Sequence, residues 1–68
     1  KMDSILFFSP SGVSSYVKKN SITDEICFCI GNTTAKAVEK YSKNIVIANQ
    51  PTVENVIIQC INYYKANG

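Results

Sequence analysis

The sequence predicts an α/β fold in which three βα units form a parallel sheet flanked by helices. Three short apolar runs carry this prediction, and none of them alternates apolar with polar residues: 5–8 (ILFF), 26–30 (ICFCI) and 45–48 (IVIA). Such runs are typical of parallel strands that are buried on both faces. Each run is followed at once by residues that start helices, so strands and helices alternate along the chain.

The first unit joins the strand at 5–8 to a helix that begins at Ser9-Pro10-Ser11-Gly12. Serine caps helix N-termini and proline suits the first turn. Val13, Tyr16 and Val17 then follow at i, i+3 and i+4, which predicts a helix with one apolar face. No strand precedes this unit, so we expect an open sheet edge lined by Phe7 or Phe8.

The second unit joins the strand at 26–30 to a helix that begins at Gly31-Asn32-Thr33-Thr34. Cys27 and Cys29 are expected to point to one face of the sheet and Phe28 to the other, because side chains alternate along a strand. The predicted apolar stripe of the helix is Ala35, Val38 and Tyr41.

The third unit joins the strand at 45–48 to the longest amphipathic segment, which begins after Gln50-Pro51-Thr52. Thr52 and Asn55 resemble a capping box. We expect Tyr63 to face solvent or a partner. The predicted buried stripe consists of Val53, Val56, Ile57, Cys60, Ile61 and Tyr64.

Composition excludes several functional classes. The net charge is only +2 and the lysines are scattered, so neither nucleic acid nor a membrane surface is an expected partner. The chain has no histidine and only three cysteines, which leaves no zinc-site spacing. No apolar run approaches the roughly 20 residues of a membrane span. We therefore expect a soluble, cytoplasmic α/β segment without a metal.

The 68 residues and three strands suggest part of a larger domain, completed by the rest of a parent chain or by self-association through the first strand.

The candidate chemistry lies in the three turns, because ligands of parallel sheets bind beyond the carboxyl ends of the strands. Helix starts there offer backbone N–H donors to anions, although each turn taken alone is explained by capping. The serine and threonine hydroxyls lack a histidine base, and none of the turns has a nucleotide-binding glycine pattern. Cys27 and Cys29 are interpreted as packed thiols; a redox protein built on them would need them to be reactive.

The three turns resemble those of the C-terminal part of uroporphyrinogen-III synthases. The matching residues are 8–13 (FSPSGV), 30–35 (IGNTTA) and 48–52 (ANQPT), in the family's order and at similar spacing. The resemblance implies a two-domain α/β enzyme whose first domain is discontinuous, with this segment as its C-terminal part. It further implies a lyase of porphyrin and heme biosynthesis that cyclises the linear tetrapyrrole hydroxymethylbilane, inverting its last pyrrole ring without a cofactor or metal.

The resemblance also assigns the candidate site residues. Thr34 corresponds to the threonine considered for hydrogen bonding in the cleft and is the expected catalytic residue. The expected substrate-binding residues are Ser9, Ser11, Gly12, Val13, Gly31, Thr33 and Thr34. Thr52 is expected to be a cap. The chain departs from the family at Asn32, where proline is common, and at Ser42, where glycine often ends the second helix. By itself the segment is expected to be inactive, because half of the cleft would be missing.

One alternative of a different class remains open from the residues. The chain could be a non-catalytic α/β module that binds an anion or a flavin, or that pairs with a partner domain. A bound flavin, or a stable monomer with its first strand covered, would favour that interpretation.

Overall fold

The computed structural model describes residues 4–67 and shows three strands alternating with three helices. The strands form one parallel sheet in the order β1-β2-β3, so the predicted α/β class is confirmed. The elements are β1 (Ser4–Phe7), α1 (Pro10–Lys19), β2 (Ile26–Cys29), α2 (Asn32–Val38), β3 (Ile45–Ile47) and α3 (Val53–Asn67). None of the described helices has both the length and the apolar character needed to cross a membrane.

The central strand β2 is the most deeply buried element of the sheet. All four of its residues are buried, whereas β1 and β3, among the described residues, each pair on one side only and are partly exposed. The expectation that each strand buries both faces therefore holds for β2 and is wrong for β1 and β3. The physical reason is the short sheet: two of its three strands are edge strands.

Helices α1 and α2 cover one face of the sheet. The core on this side contains Cys27 and Cys29 from β2 with Val13 from α1 and Val38 from α2. Phe7 belongs to the same core and packs edge to face against Tyr16, with ring centroids 5.7 Å apart. Both thiols thus point to one face, as the alternation of side chains along a strand requires.

Helix α3 covers the opposite face, where Phe28 is the central side chain. Phe28 is 1% exposed, and Val56 of α3 is fully buried beside it. The rings of Tyr63 and Tyr64 both contact that of Phe28, with centroids 5.7 and 6.5 Å away. The expectation that Tyr63 faces solvent or a partner is therefore wrong, since its ring packs on the sheet.

Two predicted apolar stripes differ from the observed ones. In α3 the buried side follows Val56, Cys60, Tyr63 and Tyr64, whereas Val53, Ile57 and Ile61 of the predicted stripe are about half exposed. Helix α2 ends at Val38, so Tyr41 lies beyond it and is 48% exposed. The apolar face of α3 is wider than the area that a three-stranded sheet can cover, so the apolar side chains beyond that area stay exposed at the surface.

The expected open edge is present at β1, which within residues 4–67 pairs only with β2. Phe7 does not line this edge, because its ring is buried against α1, while Phe8 just after the strand is 41% exposed. At the other end of the sheet, buried Ser42 shapes the return loop after α2: its Oγ accepts a hydrogen bond from the Asn44 N–H at 3.1 Å.

Candidate functional site

The strand register places the three family-like turns side by side. Phe7 of β1 is paired with Cys29 of β2, and Cys29 is paired with Ile47 of β3. The ladder continues one step further, since Ile30 N–H donates to the Phe7 carbonyl at 3.1 Å and Ala48 N–H donates to the Cys29 carbonyl at 2.9 Å. The turns that follow therefore leave the same carboxyl edge at equivalent positions, across about 10 Å of sheet at the usual strand spacing.

The first turn is capped by its own serine. Ser9 Oγ accepts a hydrogen bond from Gly12 N–H at 3.1 Å, and Pro10 supplies the first helical residue, which has no N–H. The exposed Ser11 hydroxyl lies 3.2 Å from Ser9 Oγ. The capping interpretation is thus confirmed for Ser9. Ser11 keeps an accessible hydroxyl at the rim, the name used for the carboxyl edge of the sheet with its three turns, 9–12, 31–34 and 49–52.

Gly12 and Val13 occupy different surroundings in that turn. A β-carbon added at Gly12 would lie 3.3 Å from Ser9 Oγ, so glycine leaves room for the cap. Val13 is 1% exposed and belongs to the core beneath α1. The side chain of Val13 therefore supports the turn from below, and only the backbone of these two residues lies near the rim.

The third turn is also capped by its own side chains. Thr52 Oγ1 accepts a hydrogen bond from Asn55 N–H at 3.1 Å, which confirms Thr52 as the cap of α3. In the reciprocal direction, Asn55 Oδ1 accepts from Gln50 N–H at 3.1 Å. The predicted capping box is thus present in a modified form, because Asn55 reaches two residues further back than the cap itself.

The second turn begins α2 without a side-chain cap. Gly31 stands at the cap position, and only its backbone carbonyl takes part, accepting from Ala35 N–H at 3.0 Å. Asn32 and Thr33 are exposed, whereas Thr34 is 2% exposed and points into the core. Of the two threonines proposed for the site, Thr33 therefore presents its hydroxyl at the surface and Thr34 does not.

Side-chain amides add polar groups that sequence reasoning did not assign to the site. Asn49 Nδ2 donates to Gln59 Oε1 at 3.4 Å, which joins the end of β3 to α3. The sequence feature that could have indicated these polar groups is the pair Asn49-Gln50, directly after the third apolar run. Gln59 lies ten residues beyond Asn49, and it comes close to Asn49 only when the chain is folded. The turn residues themselves, 9–12, 31–34 and 49–52, carry no charge.

The buried thiols lie beneath the rim rather than on it. Burial raises the pKa of Cys27, although a hydrogen bond with Ser42 opposes the shift. Burial, together with the neighbouring Cys27, raises the pKa of Cys29 to about 11. A thiol with a raised pKa holds little thiolate at neutral pH, so these cysteines are poor nucleophiles. Cys60 is half-buried, with its Sγ 3.7 Å from the Ser4 hydroxyl.

Two further features bear on the site. Among residues 4–67, no three histidine, cysteine or carboxylate side chains are grouped closely enough to hold a metal ion. An open depression lies at the opposite, amino edge of the sheet, lined in part by Thr23, Tyr41 and Asn44. The three turns and this depression are therefore at different ends of the strands.

Comparison with known proteins identifies a family. The family model described as uroporphyrinogen-III synthase HemD matches residues 1–58, which is most of the 68-residue chain. All three turns fall inside the matched region. No curated protein and no solved structure matches the chain.

Proposed function

The chain belongs to the uroporphyrinogen-III synthase family, and we propose that it forms the C-terminal part of such an enzyme's discontinuous first domain. In this role it would help to bind hydroxymethylbilane, and the complete cytoplasmic enzyme would invert the last pyrrole ring and close the macrocycle with loss of one water. The observation that supports this proposal is the alignment of all three family-like turns along one carboxyl edge of the sheet.

The uncharged rim suits a substrate that is rich in carboxylates and ionises readily. Acetate and propionate groups would accept hydrogen bonds from the uncapped start of α2 and from the hydroxyls of Ser11 and Thr33. Loss of hydroxide from the substrate leaves an electrophilic azafulvenium cation, which the terminal pyrrole attacks as a carbon nucleophile. A proton is released when the pyrrole regains its aromaticity, so that one water is lost in all. Catalysis would therefore depend on orienting the reacting pyrrole and on hydrogen bonds to the charged groups of the substrate, rather than on a strong protein base.

Thr33 and Thr34 are proposed to have separate roles. The exposed Thr33 hydroxyl is the better candidate for direct contact with a substrate carboxylate. Thr34, proposed from the family resemblance as the catalytic threonine, is 2% exposed and would reach the substrate only if the start of α2 shifts. In the folded chain its side chain is instead buried at the start of α2.

The remainder of the parent enzyme is proposed to cover the open edge of β1. In the part of the chain that the structure describes, that strand pairs only with β2, and three of its four residues are half-buried. A strand from another segment would satisfy its free backbone groups. Because half of the cleft would be missing, we expect the 68-residue chain alone to bind tetrapyrroles weakly and not to produce uroporphyrinogen III.

The test has a binding arm and an activity arm. In the first, the isotope-labelled chain is titrated with a uroporphyrin, and amide shifts are expected at the non-proline residues of 9–12, 31–34 and 49–52 but not at Thr23 or Asn44 on the amino edge. In the second, the chain replaces the matching segment of an active uroporphyrinogen-III synthase. Thr33→Val is then expected to lower kcat/KM about tenfold or more, whereas Thr23→Val should leave it unchanged.

The isomer formed decides the activity arm. Uncatalysed closure of hydroxymethylbilane gives uroporphyrinogen I, so production of isomer III by the chimera supports the assignment. A folded chimera that yields only isomer I would contradict it, as would amide shifts confined to the amino edge.

A further inference from the structure

Two side-chain amides of α3 hold the turn that follows β3. Asn55 Oδ1 accepts a hydrogen bond from the Gln50 N–H at 3.1 Å, and Gln59 Oε1 accepts one from Asn49 Nδ2 at 3.4 Å. Asn55 and Gln59 stand four residues apart, so they lie on the same side of the helix. Val56, next to Asn55, is fully buried against the sheet. The Asn49 side chain is therefore held at the rim by a helix that is itself packed on the core.

The direction of the contact between Asn49 and Gln59 decides what Asn49 can offer a ligand. Because Asn49 Nδ2 donates to Gln59, the Oδ1 atom of the same amide is left to accept from elsewhere. Asn49 is exposed, and within residues 4–67 its Oδ1 receives no hydrogen bond. The side-chain amides of Asn32 and Gln50 at the rim make no hydrogen bond within the same residues. Asn49 is thus the rim amide whose orientation is fixed, and it presents an acceptor.

We propose, on the basis of the proposed function, that Asn49 Oδ1 accepts a hydrogen bond from a pyrrole N–H of hydroxymethylbilane. Gln59 is the positioning residue that turns this oxygen towards the substrate. The substrate has two kinds of polar group: carboxylates, which accept hydrogen bonds, and pyrrole N–H groups, which donate them. The uncapped start of α2 has N–H donors that suit carboxylates, whereas a carboxamide oxygen accepts and therefore suits the pyrroles.

Formation of the azafulvenium cation strengthens this contact. Positive charge on a pyrrole ring makes its N–H a better donor, so the bond to Asn49 Oδ1 is stronger in the charged state than in the neutral substrate. An interaction that strengthens as charge develops lowers the barrier of the chemical step rather than tightening substrate binding. Asn49→Ala should therefore lower kcat about tenfold and leave KM within about threefold of its original value.

Two charged substitutions of Gln59 test the orientation of the amide in the chimera described above. The carboxylate of Gln59→Glu can only accept, so Asn49 still donates through Nδ2, and kcat should stay within about threefold. The ammonium of Gln59→Lys can only donate, so Asn49 turns its Nδ2 to the substrate, and kcat should fall about tenfold. Simple attraction of a carboxylate-rich substrate predicts the reverse order, because it would favour lysine.

Two controls separate positioning from general effects of charge and packing. Asn62→Glu and Asn62→Lys make the same changes of charge at an exposed amide of α3 and should leave kcat unchanged. Gln59→Lys added to Asn49→Ala should cause no further loss of kcat, because Gln59 acts through Asn49. Far-UV circular dichroism of each variant shows whether it is folded.

The isomer formed by the unmodified chimera separates a failure of this inference from a failure of the proposed function. A folded, unmodified chimera that forms only uroporphyrinogen I overturns both. Where that chimera forms isomer III, three results overturn the inference alone. These are a kcat for Gln59→Lys equal to that for Gln59→Glu, full activity of Asn49→Ala, and additive losses in the double variant.

Discussion

At the scale of single residues, burial decides the chemistry of the cysteines. Cys27 and Cys29 have no exposed surface and lie among Phe7, Val13 and Val38. An apolar environment disfavours the thiolate, which is the reactive form of the side chain. The alternative of a redox protein built on these two thiols therefore receives no support from their surroundings.

The raised thiol pKa values predict a pH dependence of stability. The pKa of Cys29 is about 11 in the folded chain, well above that of an unfolded thiol. Between these two values the folded state holds a proton that the unfolded state has lost. The free energy of unfolding should therefore fall as the pH rises through this window. Urea unfolding from pH 8 upward measures the slope, and Cys29→Ala should show a shallower one.

Alkylation gives an independent check on the same residues. In the native chain at neutral pH, iodoacetamide should modify half-buried Cys60 first and should reach Cys27 and Cys29 only after urea is added. Rapid modification of Cys27 in the folded protein would show that its environment is more open than the structure indicates.

At the scale of elements, the three helix starts look alike in sequence but are stabilised differently. Ser9 and Thr52 cap α1 and α3 with their own hydroxyls, whereas Gly31 offers α2 only backbone groups. Capping satisfies N–H groups that could otherwise bind a ligand. The start of α2 is therefore the one whose amide donors are least engaged by its own side chains.

Loss of the α1 cap is expected to be measurable. Ser9→Ala removes the acceptor of the Gly12 N–H and should lower the free energy of unfolding by about 1 kcal/mol. Ser11→Ala is the matched control, because its exposed hydroxyl accepts no backbone hydrogen bond from the helix start. Urea denaturation of both variants makes the comparison, and equal losses would contradict the assignment of Ser9 as the cap.

At the scale of the whole molecule, both cores meet at β2. Cys27 and Cys29 belong to the core between the sheet and helices α1 and α2, and Phe28 belongs to the core between the sheet and α3. A domain of this length has an expected stability of only about 3–10 kcal/mol. One large cavity next to β2 is therefore enough to threaten the fold.

Two phenylalanines test this dependence. Phe28→Ala removes the ring that Tyr63 and Tyr64 pack against and should cost about 3–5 kcal/mol, enough to unfold much of the population. Phe8→Ala removes the same side chain from a position that is 41% exposed and should cost less than about 1 kcal/mol. Thermal unfolding followed by circular dichroism compares them, and similar losses would show that the core is not centred on Phe28.

Three features follow from the order of amino acids without any structure: the order of elements, the helix starts at Ser9 and Thr52, and the opposite orientation of Phe28 and its flanking cysteines. These features depend on local rules: strand periodicity, turn chemistry and the geometry of a cap. Only the tertiary structure decided which side of α3 is buried, that Tyr63 packs inward, that Thr34 is covered while Thr33 is exposed, and that Gln59 reaches Asn49. Each of these depends on how the helices pack on the sheet, and that packing is set by contacts between residues far apart in the chain.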